Sequence, residues 1–378
     1  MTLRQVQITG VRNLDRVELD LGDAGVTLVI GPNGSGKTSI LEALHLLAVG
    51  RSFRSGRAGS LIRYGTGECT VFGSIQRDEF TYAVGFTRGR GGGREFRVNG
   101  ERQSRVSEIS RLLPVQVLGT RTVDLIQEGP GYRRRFLNWG VFHVEPTFQE
   151  AWAAAERSLK HRNRLLRQAV DSGRILSAMG DEYAAWELQL AENAAKLEVQ
   201  RRSYLEEFRV VLKGVLGRIG LNLEVELDFY SGWPRVAAVD TREIARELAE
   251  ALEDCRPADA HRGFTTMGHH RADLRIRADG HPAVDYLSRG QLKLLAWAMM
   301  VSQGILVSQR THHASIYLAD DLGAELDRAN VEAVCAVLAE SGAQCVATGL
   351  NADLTAVWPD QCVGAHYQMD SGVAIRFR

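Results

Sequence analysis

Residues 31–38 read GPNGSGKT, the pattern Gly-x-x-x-x-Gly-Lys-Ser/Thr, with the apolar run VTLVI before it and a helical apolar pattern after it. A loop of this kind turns successive backbone N–H groups onto a chain of phosphates. Gly31, Pro32, Asn33, Gly34, Ser35 and Gly36 would shape the cradle. Lys37 would meet the terminal phosphate oxygens as a point charge, and Thr38, followed by Ser39, would offer its hydroxyl to Mg²⁺. A second element, IYLADD at 316–321, is an apolar strand ending in two acids. Asp320 is expected to hold the Mg²⁺ through water and Asp321 to polarise an attacking water, so the catalytic set is Lys37, Asp320 and Asp321. A third stretch, DYLSRGQ at 285–291, places Ser288, Gly290 and Gln291 at the start of an apolar helical pattern. Such a helix start presents free N–H groups and a positive dipole end to an anion. Two readings of Ser288 stand, a phosphate contact and a plain N-cap; GAELD at 323–327 is equally open between a dimer-facing turn and a helix N-cap.

These residues need elements to hold them. Alternating apolar positions (Leu3, Val6, Ile8; Val17, Leu19, Leu21) predict strands at the start, and a helix follows from Thr38 to about Val49. Residues 60–100 predict an antiparallel sheet, with RGRGGGR at 88–94 as a hairpin tip or loop. Between Pro146 and Pro234 no proline intervenes, and helix-favouring residues predict two long helices, about 147–169 and 182–219. In the second, Leu190, Ala194, Leu197, Tyr204, Phe208, Val211, Leu212, Val215 and Ile219 form one apolar stripe. An antiparallel helical arm follows. NLEVELDFY at 222–230 reads as a strand, 242–254 as a helix, and the remainder as an α/β pattern. The arm, at 136–255, is expected to split one α/β head into segments 1–135 and 256–378.

Forty-six basic and 46 acidic side chains among 378 residues cancel, so contact with nucleic acid requires a local basic surface. The five cysteines are scattered with no CxxC spacing, which predicts buried thiols in a reducing compartment. With no signal-like N-terminus and no continuous run of about 18 apolar residues, a soluble cytoplasmic chain with no membrane partner is expected. His269 with His270 and His312 with His313 are adjacent pairs, a poor spacing for one metal. Gln116 in LPVQVLG is a candidate Mg²⁺ sensor or an ordinary strand residue, and Arg12 a candidate nucleotide contact or a surface arginine. Thr348 sits where a switch residue would follow the last core strand, and no histidine stands there.

The P-loop, the acidic strand and the Ser-x-Gly-Gln helix start together resemble the ATP-binding-cassette ATPases, in which one subunit's signature turn contacts the γ-phosphate on the other. The order of motifs, with an arm before the signature, looks like the SMC, RecN and RecF branch, and the arm is far too short for an SMC coiled coil. Five segments in order resemble RecF: ITGVRNL (8–14), GPNGSGKTSILEALHLLAVGRSFR (31–54), GPGYRRRFLNW (129–139), MGHHRADLRI (267–276) and YLSRGQLKLLAWA (286–298). Two departures stand out. Gly268-His269-His270-Arg271-Ala272-Asp273 replaces Gly-Pro-His-Arg-Asp-Asp, and Ser288-Arg289-Gly290-Gln291-Leu292 replaces Ser-Gln-Gly-Gln-Gln.

The resemblance implies an ABC-type P-loop ATPase head, a mixed sheet with an antiparallel β region, carrying an inserted helical arm. It also implies ATP and Mg²⁺ as cofactors, a homodimer formed on ATP, weak DNA-dependent ATPase activity, and binding to gapped or junction double-stranded DNA. RecO and RecR are the implied partners in loading RecA onto single strands during recombinational repair. Arg133, Arg134 and Arg135, then Lys160, Arg162, Arg164 and Arg167, and Arg51, Arg54 and Arg57 are clusters able to neutralise phosphates; the arm cations could equally pair with neighbouring Glu. No interleaved aromatic pattern accompanies them, which favours backbone contact over base readout. Two other readings compete: an ATPase subunit of a membrane transporter, and a nucleotide-binding regulatory module without turnover.

Overall fold

The structure, a computed structural model, describes all residues except 23–24, 55–57, 173–179, 235–239, 324–325, 360 and 378. The chain forms β1 (Thr2–Thr9), β2 (Arg16–Asp20), β3 (Val26–Ile30), α1 (Lys37–Val49), β4 (Glu68–Arg77), β5 (Phe80–Gly89), β6 (Arg94–Val98), β7 (Glu101–Gln103), α2 (Val106–Leu112) and β8 (Val115–Leu118). Then come α3 (Asp124–Gln127), α4 (Pro130–Val144), α5 (Phe148–Ser172), α6 (Gly180–Arg218), β9 (Val225–Tyr230), α7 (Thr241–Arg262), β10 (Asp273–Ala278), β11 (His281–Pro282) and α8 (Ala283–Tyr286). The chain closes with α9 (Arg289–Thr311), β12 (Ile316–Ala319), α10 (Arg328–Glu340), β13 (Gln344–Gly349), β14 (Val363–Asp370) and β15 (Val373–Arg376). Two compact units result, one of Met1–Val123, Val211–Asn222 and Leu287–Arg378, the other of Asp124–Val210 and Leu223–Tyr286.

The first unit holds two six-stranded sheets. One is antiparallel, in the order β2-β1-β4-β5-β6-β7; the other is mixed, β15-β14-β3-β13-β12-β8, and only β15 runs antiparallel in it. Helix α1 lies among them because Ile40, Leu41, Leu44, Leu46 and Leu47 are all buried, and burying each such side chain contributes about 1.5–3 kcal/mol. Gly50, at φ 66°, ends the helix by returning its N–H to Leu46 O. The two sheets are tied through Gln344, whose amide accepts from Leu3 N at 2.9 Å and donates to Leu3 O at 2.8 Å. The 90–93 stretch joins β5 to β6, as the glycine run predicts, though β4 and β5 are longer than the short strands expected.

In the second unit α5 and α6 run antiparallel. Thr147 meets Gln200 near one end, and His161 stacks on Trp186 while Arg162 pairs with Glu187 near the other. The predicted stripe of α6 is buried from Leu190 to Ile219, apart from half-buried Val211. Helix α7 is longer than expected and continues through Pro257, because buried Asp259 beyond the proline pairs with Arg162.

The unit boundaries also differ from those expected. The strand pattern at 222–230 does form β9, but its partner is β10, in register from Val225↔Ala278 to Tyr230↔Asp273, so residues 256–286 group with the arm. At the other boundary Arg133 binds both oxygens of Asp273, which places α4 in the second unit rather than at the end of the head. Period-two alternation identifies a strand and says nothing of which sheet it joins. Among the described residues one helix, α9, is long and apolar enough by length and mean hydropathy to cross a membrane, although Lys293, Ser302 and Gln303 interrupt its apolar residues. Most of that stretch is buried inside the protein, where it serves as a core helix.

A candidate phosphate-binding cleft

Strand register brings the predicted chemistry together. In the mixed sheet β3 pairs with β13, Ile30 opposite Gly349, and β13 pairs with β12, Ala347 opposite Ala319. The three parallel strands therefore end side by side, and the residues just beyond them form a cleft of about 620 Å³. Ligands of α/β folds gather at such carboxyl ends.

The P-loop occupies one wall. Gly36 caps α1 at φ 112°, a conformation that needs glycine, and a Cβ there would fall 2.7 Å from Leu14 Cδ2. Gly31 is excluded from substitution by contact, since its Cβ would lie 2.4 Å from Met369 O. Lys37 Nζ donates to Gly31 O at 2.8 Å and Pro32 O at 3.0 Å, so the ammonium is held over the loop. Asn33, Gly34, Thr38 and Ser39 line the same cleft.

Opposite stand the acids. Thr38 Oγ1 donates to Asp320 Oδ1 at 2.9 Å, and Thr348 Oγ1 donates to the same oxygen at 3.0 Å. Burial raises the Asp320 pKa above the usual carboxylate range, while the bonds from Thr38 and Thr348 oppose that shift. Asp321 follows at φ 55°, a left-handed conformation uncommon outside glycine, with its N–H donated to Thr348 Oγ1 at 2.9 Å. Hydroxyl and carboxylate oxygens are the donors Mg²⁺ prefers, and this ion commonly uses only one or two protein ligands beside phosphate and water. The pair Thr38 and Asp320 fits that donor set. Among the described residues no group of three His, Cys, Asp or Glu is placed to hold a metal by itself.

The third side comes from the turn after β1. Arg12 lines the cleft, with Nε and Nη2 at 2.8 and 2.7 Å from the two Glu42 carboxylate oxygens; Glu42 also accepts from Ser52. The hydrogen bond and charge of Glu42 raise the Arg12 pKa further. Asn13 braces the loop, giving its amide N–H to Gly34 O at 3.0 Å and accepting from Ser39 Oγ at 2.7 Å. Asn13, Glu42, Ile62 and the almost fully exposed Tyr64 were not among the expected site residues. A signal existed for Glu42, a carboxylate within the apolar face of SILEALHLL.

Other expected residues lie elsewhere. Gln116 is buried in β8, donates to Gln303 Oε1 at 2.8 Å and is not among the residues that line the cleft. Ser288 and Gln291 form a reciprocal capping box, Ser288 Oγ accepting from Gln291 N at 3.3 Å and Gln291 Oε1 accepting from Ser288 N at 3.0 Å. Ser288, Arg289, Gly290 and Gln291 are nevertheless exposed, with no acid in the helix's first turn. The departures Leu292 and Ala272 are buried core residues. In GAELD, Asp327 caps α10, its carboxylate accepting from Asn330 N at 2.9 Å; residues 324–325 lie outside the described residues.

The basic clusters divide by burial. Arg133 is committed to Asp273, Arg134 to Ala272 O, and Arg135 lies over the Tyr132 ring. Arg162 is fully buried, bonded to Glu187, Asp259, Thr265 and Leu252 O, and is a strut of the arm. Arg157, Lys160, Arg164 and Arg167 are exposed, and their three- and four-residue steps place them along one face of α5. Arg54 lines the cleft, and Arg57 lies outside the described residues.

Residues 2–373 match the family model described as the RecF/RecN/SMC N terminal domain. The DNA replication and repair protein RecF of Shewanella pealeana is 37% identical over 93% of this chain and 92% of its own length. RecF of Pseudomonas fluorescens is 37% identical over 98% and 97%. Among solved structures, the recombination mediator protein RecF with ATP in the RecFOR pathway superposes with a TM-score of 0.87 at 23% identity, covering all of this chain and 97% of that one. An SMC head bound to the C-terminal winged-helix domain of ScpA gives 0.56 at 16% identity, over 100% and 97%. The head has the ABC-type ATPase fold of these neighbours, and the chain belongs to the RecF family.

Proposed function

We propose that this chain is an ATP-dependent DNA-binding clamp of recombinational repair, two copies of which join when each holds Mg²⁺ and ATP. The observation that carries the reading is the meeting of Thr38, Asp320 and Thr348 on one carboxylate oxygen, at the end of a P-loop that already positions Lys37. Bound Mg²⁺ supplies charge neutralisation between the phosphates. The chain's own residues do the rest: P-loop N–H groups and Lys37 orient the phosphates, Asn13 keeps the loop in shape, and Asp321 takes up hydrogen bonding from the attacking water.

Ser288 caps its own helix while the start of α9 stays exposed, so capping and contact with a partner's phosphate are compatible. Each γ-phosphate would then be held by two copies, and slow hydrolysis would release them. Arg157, Lys160, Arg164 and Arg167 on α5 are the DNA-backbone contacts, and the DNA is double-stranded with a gap or junction. Membership of the RecF family supports cooperation with RecO and RecR in loading RecA, in the cytoplasm. A transporter subunit finds no support in the long arm, and a module without turnover finds none in an intact Lys37, Asp320 and Asp321.

Fluorescence anisotropy with a gapped duplex tests the proposal. DNA affinity should rise at least about tenfold between ADP and ATP with Mg²⁺, within the usual 1–3 kcal/mol of coupling between two ligands. Equal affinity in both nucleotides would refute the clamp.

A further inference from the structure

We propose that Thr348 is the positioning residue for both acids of the cleft, a role that rests on the ATPase reading above. One hydroxyl makes two bonds of different sense. Its single proton goes to Asp320 Oδ1 at 3.0 Å rather than to Ala319 O at 3.5 Å, and its oxygen accepts the Asp321 N–H at 2.9 Å. The first bond orients the carboxylate assigned to Mg²⁺. The second holds the backbone of Asp321 in its left-handed conformation, which sets where that acid points.

Thr348 is suited to this by its surroundings. It is fully buried in β13, paired with Val29 of β3, and its branched side chain has restricted χ1 freedom. Of the two hydroxyls on Asp320 Oδ1, Thr38 is the one a metal would engage, so Thr348 is the donor left to keep the carboxylate in place. No histidine stands at this strand end, and the Thr348 hydroxyl bonds both the Asp320 carboxylate and the Asp321 N–H.

The test compares Thr348→Val, which keeps shape and loses the hydroxyl, with Thr348→Ser, which keeps the hydroxyl. A fluorescent ATP analogue is titrated with Mg²⁺ and with EDTA, and turnover and amide exchange at Asp321 are measured alongside. A hydrogen bond to a charged group supports changes of about ten- to a hundredfold, so the Val variant should lose about tenfold in the Mg²⁺-dependent gain of affinity and at least about tenfold in kcat. Its affinity in EDTA should stay within about twofold, its Asp321 amide should exchange about tenfold faster, and Ser should restore all three. Unchanged Asp321 exchange and unchanged Mg²⁺ dependence in the Val variant would overturn the inference. So would an equal loss of affinity in EDTA, or no rescue by Ser, since the threonine would then serve packing alone. If the unsubstituted chain binds no ATP, the proposed function fails, while amide exchange still decides whether Thr348 holds Asp321.

Discussion

Thr38 Oγ1 and Asp320 Oδ1 stand 2.9 Å apart although 282 positions separate them in the chain. Each residue sits beyond the end of its own parallel strand, and the register of β3, β13 and β12 makes them neighbours. The bond joins the helix that follows the phosphate loop to the first acid of the acidic strand.

Asp321→Asn should separate binding from turnover. The amide keeps the size of the side chain and removes its basicity, so ATP affinity should stay within about threefold while kcat falls about 10²-fold or more, in the range ascribed to general-base groups. Equilibrium binding and phosphate release measured on one preparation check this. Equal loss of both would remove Asp321 from the water-activating role.

Glu42→Gln should destabilise the head. Glu42 is fully buried and Arg12 largely so, and leaving the guanidinium without its counter-charge costs about 3 kcal/mol. Denaturant unfolding reads this as a lower midpoint at unchanged slope. A loss below about 0.5 kcal/mol, the size of an exposed pair, would show that the pair is weakly coupled to the fold.

The arm cations should behave in two ways. Replacing Lys160, Arg164 and Arg167 together by Gln should leave stability nearly unchanged and reduce the salt slope of duplex binding by about 2–3, since each phosphate that is no longer neutralised removes about 0.9. Arg162→Met should instead unfold the arm readily, since it leaves Asp259 buried without its cationic partner, at about 3–5 kcal/mol, while Glu187 keeps Arg256. Salt-dependent anisotropy and thermal melts distinguish the two. An unchanged salt slope in the triple variant would move the DNA-binding surface off α5.

Acid should destabilise the fold before the carboxylates titrate. Burial lowers the pKa of His45 and of His270 to about 4 from an ordinary 6.5. Between those values the unfolded chain binds protons that the folded chain refuses, so the stability these residues contribute is complete above pH 6.5 and is lost as pH falls toward 4. Melting temperature measured from about pH 7 to about pH 4 should fall across that window, and His45→Gln with His270→Gln should flatten the fall. A profile unaltered by the double substitution would contradict the assignment.

Much of this was legible in sequence where local chemistry is self-contained. The P-loop glycines, the apolar strand before Asp320 and the α6 stripe each state their structure within a few residues, because sterics and periodicity act locally. What could not be read was partnership across the chain. Nothing within VELDFY says that β9 pairs with β10 instead of joining the head, and nothing around Arg162 says that two acids 25 and 97 positions away will bury it. Gln116 illustrates the same limit: nothing in LPVQVLG says that its amide will donate to Gln303, 187 positions away.

The clamp requires above all that ATP join two copies of this chain. Light scattering on the Asp321→Asn variant, which should bind ATP without hydrolysing it, measures this directly in ADP, in ATP with Mg²⁺, and in ATP with Mg²⁺ after a further Ser288→Arg substitution. Dimer mass in ATP with Mg²⁺ alone, and monomer mass in the other two conditions, is the predicted result. The same mass in all three, with ATP binding verified, would contradict it.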